Sequence, residues 1–209
     1  MVDHDDLIHQ LASDAPAVSR PLPIAPRALV WAAVAVAAGF AATRLIRTAV
    51  TDGSTLVGGV FVANAAVSLL VGVLALASAF RMSIPGRPRQ GLAWMVALVL
   101  LWAAVNAASL WLSGNPVGHV GDGRYCFRFV VVAGAPMIVV TLLALRRTRS
   151  LRPVPTLAMA GAAIGFLAFG LLAFCHPAGM TVIDFAMHLV AGIVLGLVTI
   201  VAGRWLVSA

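Results

Sequence analysis

The stretch "LAWMVALVLLWAAVNAASLWLS", residues 92–113, contains no charged side chain. About 20 apolar residues in a helix suffice to cross the hydrocarbon core of a bilayer. Runs of the same kind recur on both sides of it. Six spans result, at residues 28–49, 55–80, 92–113, 127–145, 156–175 and 181–203. Short loops join them, and Gly and Pro mark most of the breaks. The expected fold is all-α, a polytopic membrane protein with six transmembrane helices over 28–209 and a polar tail over 1–27. The second span is the longest and is expected to tilt or to begin late.

Composition agrees with that reading. Of 209 residues, 62% are hydrophobic and only 10% are charged, and the mean hydropathy is +1.03. A soluble globule carries about 25% charged residues. The tail looks unlike a cleavable leader: it is polar and holds Asp3, Asp5, Asp6 and Asp14, four of the seven acids in the chain.

The net charge of +7 comes entirely from arginine, with no lysine and no glutamate. Those arginines lie in the tail and in short loops, which points to membrane topology and not to direct nucleic-acid binding. Ten of the 14 fall on one side: Arg20, Arg27, Arg81, Arg87, Arg89, Arg146, Arg147, Arg149, Arg152 and Arg204. Arg44, Arg47, Arg124 and Arg128 fall on the other. The arginine-rich side faces the cytoplasm, so both termini are expected there. Trp31, Trp94, Trp111 and Trp205 fall near the expected water–lipid interfaces. Gly161 with Gly165, and Gly192 with Gly196, have the spacing of close helix contacts, within one chain or between copies in a homo-oligomer.

The two cysteines, Cys126 and Cys175, lie at the outer ends of the fourth and fifth spans. That compartment is oxidising, and disulfides persist there. His119 and His176 are expected on the same side, and Arg124 and Arg128 flank Cys126, where a cation favours the thiolate. Thiolate with imidazole is a ligand set for zinc, copper or cadmium-like ions, so Cys126, Cys175, His176 and His119 are candidate donors for a transient heavy-metal ion. A structural disulfide, a redox or metal sensor and two unrelated thiols all remain open. His188 and Asp184 share a helix face and read as a satisfied polar pair.

No P-loop, nucleophile elbow, HExxH or CxxC is present, so neither an enzyme nor a resident cofactor is expected. Asn106 reads as the one strongly polar side chain deep in a span, there for an interhelical hydrogen bond. The absence of a carboxylate at mid-span weighs against an ion-coupled transporter. A small metal or solute transporter with a periplasmic Cys/His vestibule is nevertheless the competing class.

The tail carries its own signal. Asp3 is placed to cap a helix running to about Asp14, with Asp5 and Asp6 in its first turn. Leu7, Ile8, Leu11 and Ala12 form one narrow apolar stripe. Pro21, Pro23 and Pro26 then make a stiff linker. A short acidic amphipathic helix on a tether has the form of a peptide that docks in a groove.

Five motifs add a family likeness: "DDLIHQLASDAPAVSRP" (5–21), "MSIPGRPR" (82–89), "YCFRF" (125–129), "LRPVP" (151–155) and "FCHP" (174–177). In their order and spacing, over nearly the whole chain, it resembles the NrsF-type membrane anti-sigma factors, negative regulators of a sigma factor of the extracytoplasmic-function class. The resemblance implies a bacterial inner-membrane protein that holds the sigma factor on its cytoplasmic face. Asp5, Asp6, Leu7, Ile8, Leu11 and Ala12 would be the contact residues. It also implies release under oxidative or heavy-metal stress through Cys126 and Cys175. The HxxxCxxC zinc helix of another anti-sigma class is absent.

Overall fold

The protein, a computed structural model, is described here over residues 4–14, 23–44, 59–86, 92–112, 114, 123–148, 150–172 and 181–207. Seven helices account for its regular structure among these residues: α1 (His4–Ser13), α2 (Ile24–Thr43), α3 (Gly59–Met82), α4 (Leu92–Leu112), α5 (Gly123–Arg146), α6 (Pro153–Leu171) and α7 (Val182–Val207). The six from α2 to α7 are each long and apolar enough to cross a membrane.

Two of their starts depart from the sequence expectation in the same way. α2 begins at Ile24, not at residue 28, and α6 at Pro153, not at residue 156. In both cases hydropathy alone places the prolines outside the span. Pro26 and Pro153 instead sit in a first turn, where the missing N–H would have had no helical acceptor. Pro26 is therefore part of α2 and not of a linker. α3 is described from Gly59 onward, so the start expected at residue 55 lies outside the described residues; α7 runs on to Val207, carrying Arg204 and Trp205 within it.

Hydrogen bonds define one end of the bundle, the root end. There the Ser150 N–H donates to the Val207 carbonyl at 2.8 Å. Thr148 Oγ1 donates to Ser83 Oγ at 2.9 Å. Ser150 Oγ and Thr156 Oγ1 are 3.0 Å apart. The start of α6 and the ends of α3, α5 and α7 thus meet, so consecutive helices alternate in direction. The start of α5 and the end of α6 lie at the opposite, distal end.

Among the six long helices α6 and α5 are the most enclosed and α4 the least. Small residues make the enclosure of α6 possible. A Cβ on Gly72 of α3 would lie 2.8 Å from Leu167 Cγ of α6, and one on Gly170 of α6 would lie 2.6 Å from Leu69 Cγ of α3. Each helix thus receives the other's leucine where it has no side chain. Gly161 of α6 crosses Gly196 of α7, and Gly165 faces Gly192. The two glycine pairs seen in the sequence are one contact, made within a single chain.

A polar seam joins α3 to α4. Asn64 Nδ2 donates to Asn106 Oδ1 at 3.0 Å, and Asn106 Nδ2 donates back to Asn64 Oδ1 at 3.1 Å. Trp102 Nε1 donates to Ser68 Oγ at 2.8 Å. The interhelical bond expected of Asn106 is present. The reading of Asn106 as the one strongly polar side chain in a span is corrected, because Asn64 is its reciprocal partner. Asn106→Leu leaves the Asn64 amide without that partner and is expected to destabilise the bundle by about 1–2 kcal/mol. The double variant Asn64→Leu/Asn106→Leu removes both groups and should recover most of the loss. Unfolding free energies in detergent micelles check both; a double variant less stable than the single one would contradict this.

Candidate functional site

The tail helix is built from local signals alone. Asp5 and Asp6 occupy its first turn, where carboxylates complement the positive end of the helix. Ser13 Oγ donates to the Gln10 carbonyl at 2.9 Å and closes the last turn. None of its residues is buried. Ile8 and Leu11 are 62% and 64% exposed, Leu7 is 43% exposed, and Ala12 is exposed beside them. A helix this short is marginal in water by itself, and an uncovered apolar stripe gives it a reason to bind something. Asp3, the expected cap, lies outside the described residues.

At the distal end, Cys126 lies in the first turn of α5 and is half-buried. The exposed Arg124, Tyr125 and Arg128 surround it in sequence. Cys175, His176 and His119 lie outside the described residues. Among the described residues no three His, Cys, Asp or Glu side chains are grouped to hold a metal. The structure thus positions one of the four proposed donors.

Near that same end, α7 opens with a capping box. Thr181 N and Oγ1 donate to Asp184 Oδ2 at 3.1 and 2.8 Å, and the Asp184 N–H donates to Thr181 Oγ1 at 3.0 Å. Asp184 and His188 are both buried on the inner face of α7. The His188 ring lies 6.4 Å from Phe169. Phe169 in turn stacks on Trp102 at 5.7 Å, with Phe166 and Phe185 at 5.2 and 5.8 Å from the same indole. This aromatic cluster, which attaches the peripheral α4 to α6 and α7, is absent from the sequence reading. The spacing of Phe166 and Phe169 on one helix face is the signal that could have suggested it.

The root end is basic. Arg146, Arg147, Arg152 and Arg204 are exposed, and Arg81 is partly so. The Arg147 guanidinium lies 5.8 Å from the Trp31 ring and that of Arg204 lies 5.0 Å from Trp205. Arg27 departs from expectation. The sequence places it with the tail, but it lies in the first turn of α2 and is 9% exposed. Its Nη2 donates to the Ala144 carbonyl at 3.0 Å and its guanidinium sits 4.4 Å from the Phe80 ring centre. A carbonyl acceptor and an aromatic face offset the loss of water, which a hydropathy reading could not anticipate.

The described residues contain an uncovered amphipathic helix, a cysteine at the far end of the bundle, and a basic end at which Arg27 is buried. Comparison with known proteins gives two matches that cover nearly all of it. The family model described as "Negative regulator of sigma F" (NrsF) matches residues 11–208. The anti-sigma-F factor NrsF of Caulobacter vibrioides (strain NA1000 / CB15N) is 30% identical over 214 residues, covering 97% of each chain. No solved structure matches.

Proposed function

The chain belongs to the NrsF family of negative regulators of sigma F, and we propose that it is an inner-membrane anti-sigma factor for a sigma factor of the extracytoplasmic-function class. It acts as a regulator and not as an enzyme. Both termini face the cytoplasm, as the arginine-rich root end supports. The single observation that carries the reading is the exposed Leu7–Ile8–Leu11–Ala12 stripe, flanked by Asp5 and Asp6, on a helix with no buried residue. The stripe seats in an apolar groove of the sigma factor and keeps it from RNA polymerase. A transporter needs no such helix, and membership of a regulator family leaves that alternative without support.

Isolation of the full-length chain from native membranes tests this. A sigma factor should accompany it, and should be lost from a chain lacking residues 1–13. Recovery of no sigma factor, together with metal flux into liposomes containing the pure chain, would replace the regulator with the transporter.

Release is assigned to Cys126 and Cys175, with His176 and His119 as further donors when the signal is a heavy-metal ion. Turning 1:99 into 99:1 takes about 5.5 kcal/mol of differential binding. Thiolate–imidazole metal sites reach roughly 10–16 kcal/mol, so one site formed in only the releasing state is sufficient. Cys126→Ser, Cys175→Ser and the double variant should therefore all fold and hold the sigma factor, but fail to release it on oxidant or cadmium treatment. The three should behave alike, because the residues act as one unit. Undiminished release from the double variant would remove the sensor; loss of folding in either single variant would make the pair a structural bridge.

A further inference from the structure

We infer that Arg27 is the positioning residue that ties the root of the tail to α5, and that it works as an in-or-out switch. The inference rests on the anti-sigma reading above and concerns how a change at the cysteine end reaches the tail.

α5 carries Cys126 in its first turn and Ala144 in its last, with Pro136 between them. α2 is the span continuous with the tail. The two helices are joined at two levels. In mid-bundle they approach so closely that a Cβ on Gly39 would lie 2.8 Å from the Ala133 carbonyl oxygen. At the root end Arg27 Nη2 donates to the Ala144 carbonyl at 3.0 Å. That carbonyl belongs to the last four of α5, which have no acceptor role within the helix. Arg27 is therefore a cation capping the negative end of α5, supplied by a different helix.

The cap is conditional. A buried guanidinium is held only while its compensating groups are in reach. Those groups are the Ala144 carbonyl on α5 and the Phe80 ring on α3. Arg147 brings a like charge to the same corner, over Trp31 one turn along α2. If the last turn of α5 shifts, Arg27 must return to water. The first turn of α2 can yield to allow this. Its N-cap, Pro23, makes no side-chain capping bond, and Pro26 contributes no N–H. With Arg27 in, the first turn of α2 is helical and fixed; with Arg27 out, that turn unwinds and the anchor of the tail is lost.

Two substitutions should move this switch in opposite directions. Arg27→Met keeps the apolar stem without the charge, so it stays packed whatever α5 does. Arg27→Lys keeps the charge but loses the planar fork, so it leaves more readily. In the full-length chain in lipid nanodiscs, amide hydrogen exchange over residues 27–31 should be about fivefold or more faster in Arg27→Lys and no faster in Arg27→Met. In cells, Arg27→Lys should leak sigma factor without stress, and Arg27→Met should retain it after an oxidant that strips the wild type. Equally fast exchange in both variants would make Arg27 a plain structural tie and overturn the switch. So would a Met variant that releases like the wild type. A wild-type chain that holds no sigma factor fails the anti-sigma reading itself, while the exchange comparison still decides the cap.

Discussion

Leu11→Asp is expected to lower recovery of the sigma factor with the membrane-bound chain by about 100-fold while leaving the helical bundle unchanged. Leu11 lies within the apolar stripe and is 64% exposed in the isolated chain. Burying a leucine in a partner's groove is worth about 1.5–3 kcal/mol. Replacing it with a carboxylate forfeits that and adds a desolvation cost, and truncation of a central contact commonly costs 2 kcal/mol or more. The bundle should not respond, because α1 contributes no buried residue to it. His9→Asp, on the opposite side of the same helix, is the matched control and should hold the partner normally. Equal recovery of the sigma factor with Leu11→Asp and wild type would move the binding surface from the tail to the root-end loops.

Gly161→Ala is expected to be strongly damaging for a change of a single carbon. The added Cβ would lie 2.7 Å from the Gly196 Cα and 3.2 Å from the Gly196 carbonyl oxygen. Both are backbone atoms, so α6 and α7 must separate. Overpacking of this kind costs about 1–3 kcal/mol, and helices in a bilayer depend on such close contact because lipid supplies no hydrophobic force between them. Gly196→Ala is the instructive contrast. Its Cβ would meet nothing within 4 Å, and alanine favours helix by about 1 kcal/mol over glycine. Gly165→Ala, 3.6 Å from the Gly192 Cα, makes ordinary contact and should be near neutral. Thermal unfolding in detergent therefore ranks Gly196→Ala at or above wild type and Gly161→Ala well below it. The opposite order would mean that α6 and α7 do not cross at this point.

The number of helices among the described residues, their approximate limits, the stripe of the tail and the family are all legible in the sequence. These are properties that accumulate along the chain. Each apolar residue adds its own transfer free energy, so a run of them reads as a span without knowledge of its neighbours. Leu7, Ile8 and Leu11 share a face because one helix has one period. Which helices meet, and through which residues, is visible only in the packed bundle. Asn106 was legible as polar, but its partner Asn64 was not, because hydropathy carries no information about which two helices are adjacent. The Gly161 and Gly196 motifs look alike in the sequence, yet only the crossing geometry shows that one Cβ direction is blocked and the other open. Arg27 is the extreme case. Every sequence rule assigns an arginine beside prolines to the solvated tail. Its burial depends on a carbonyl 117 residues away and on the Phe80 ring of a third helix, and such compensation exists only once the chain has packed.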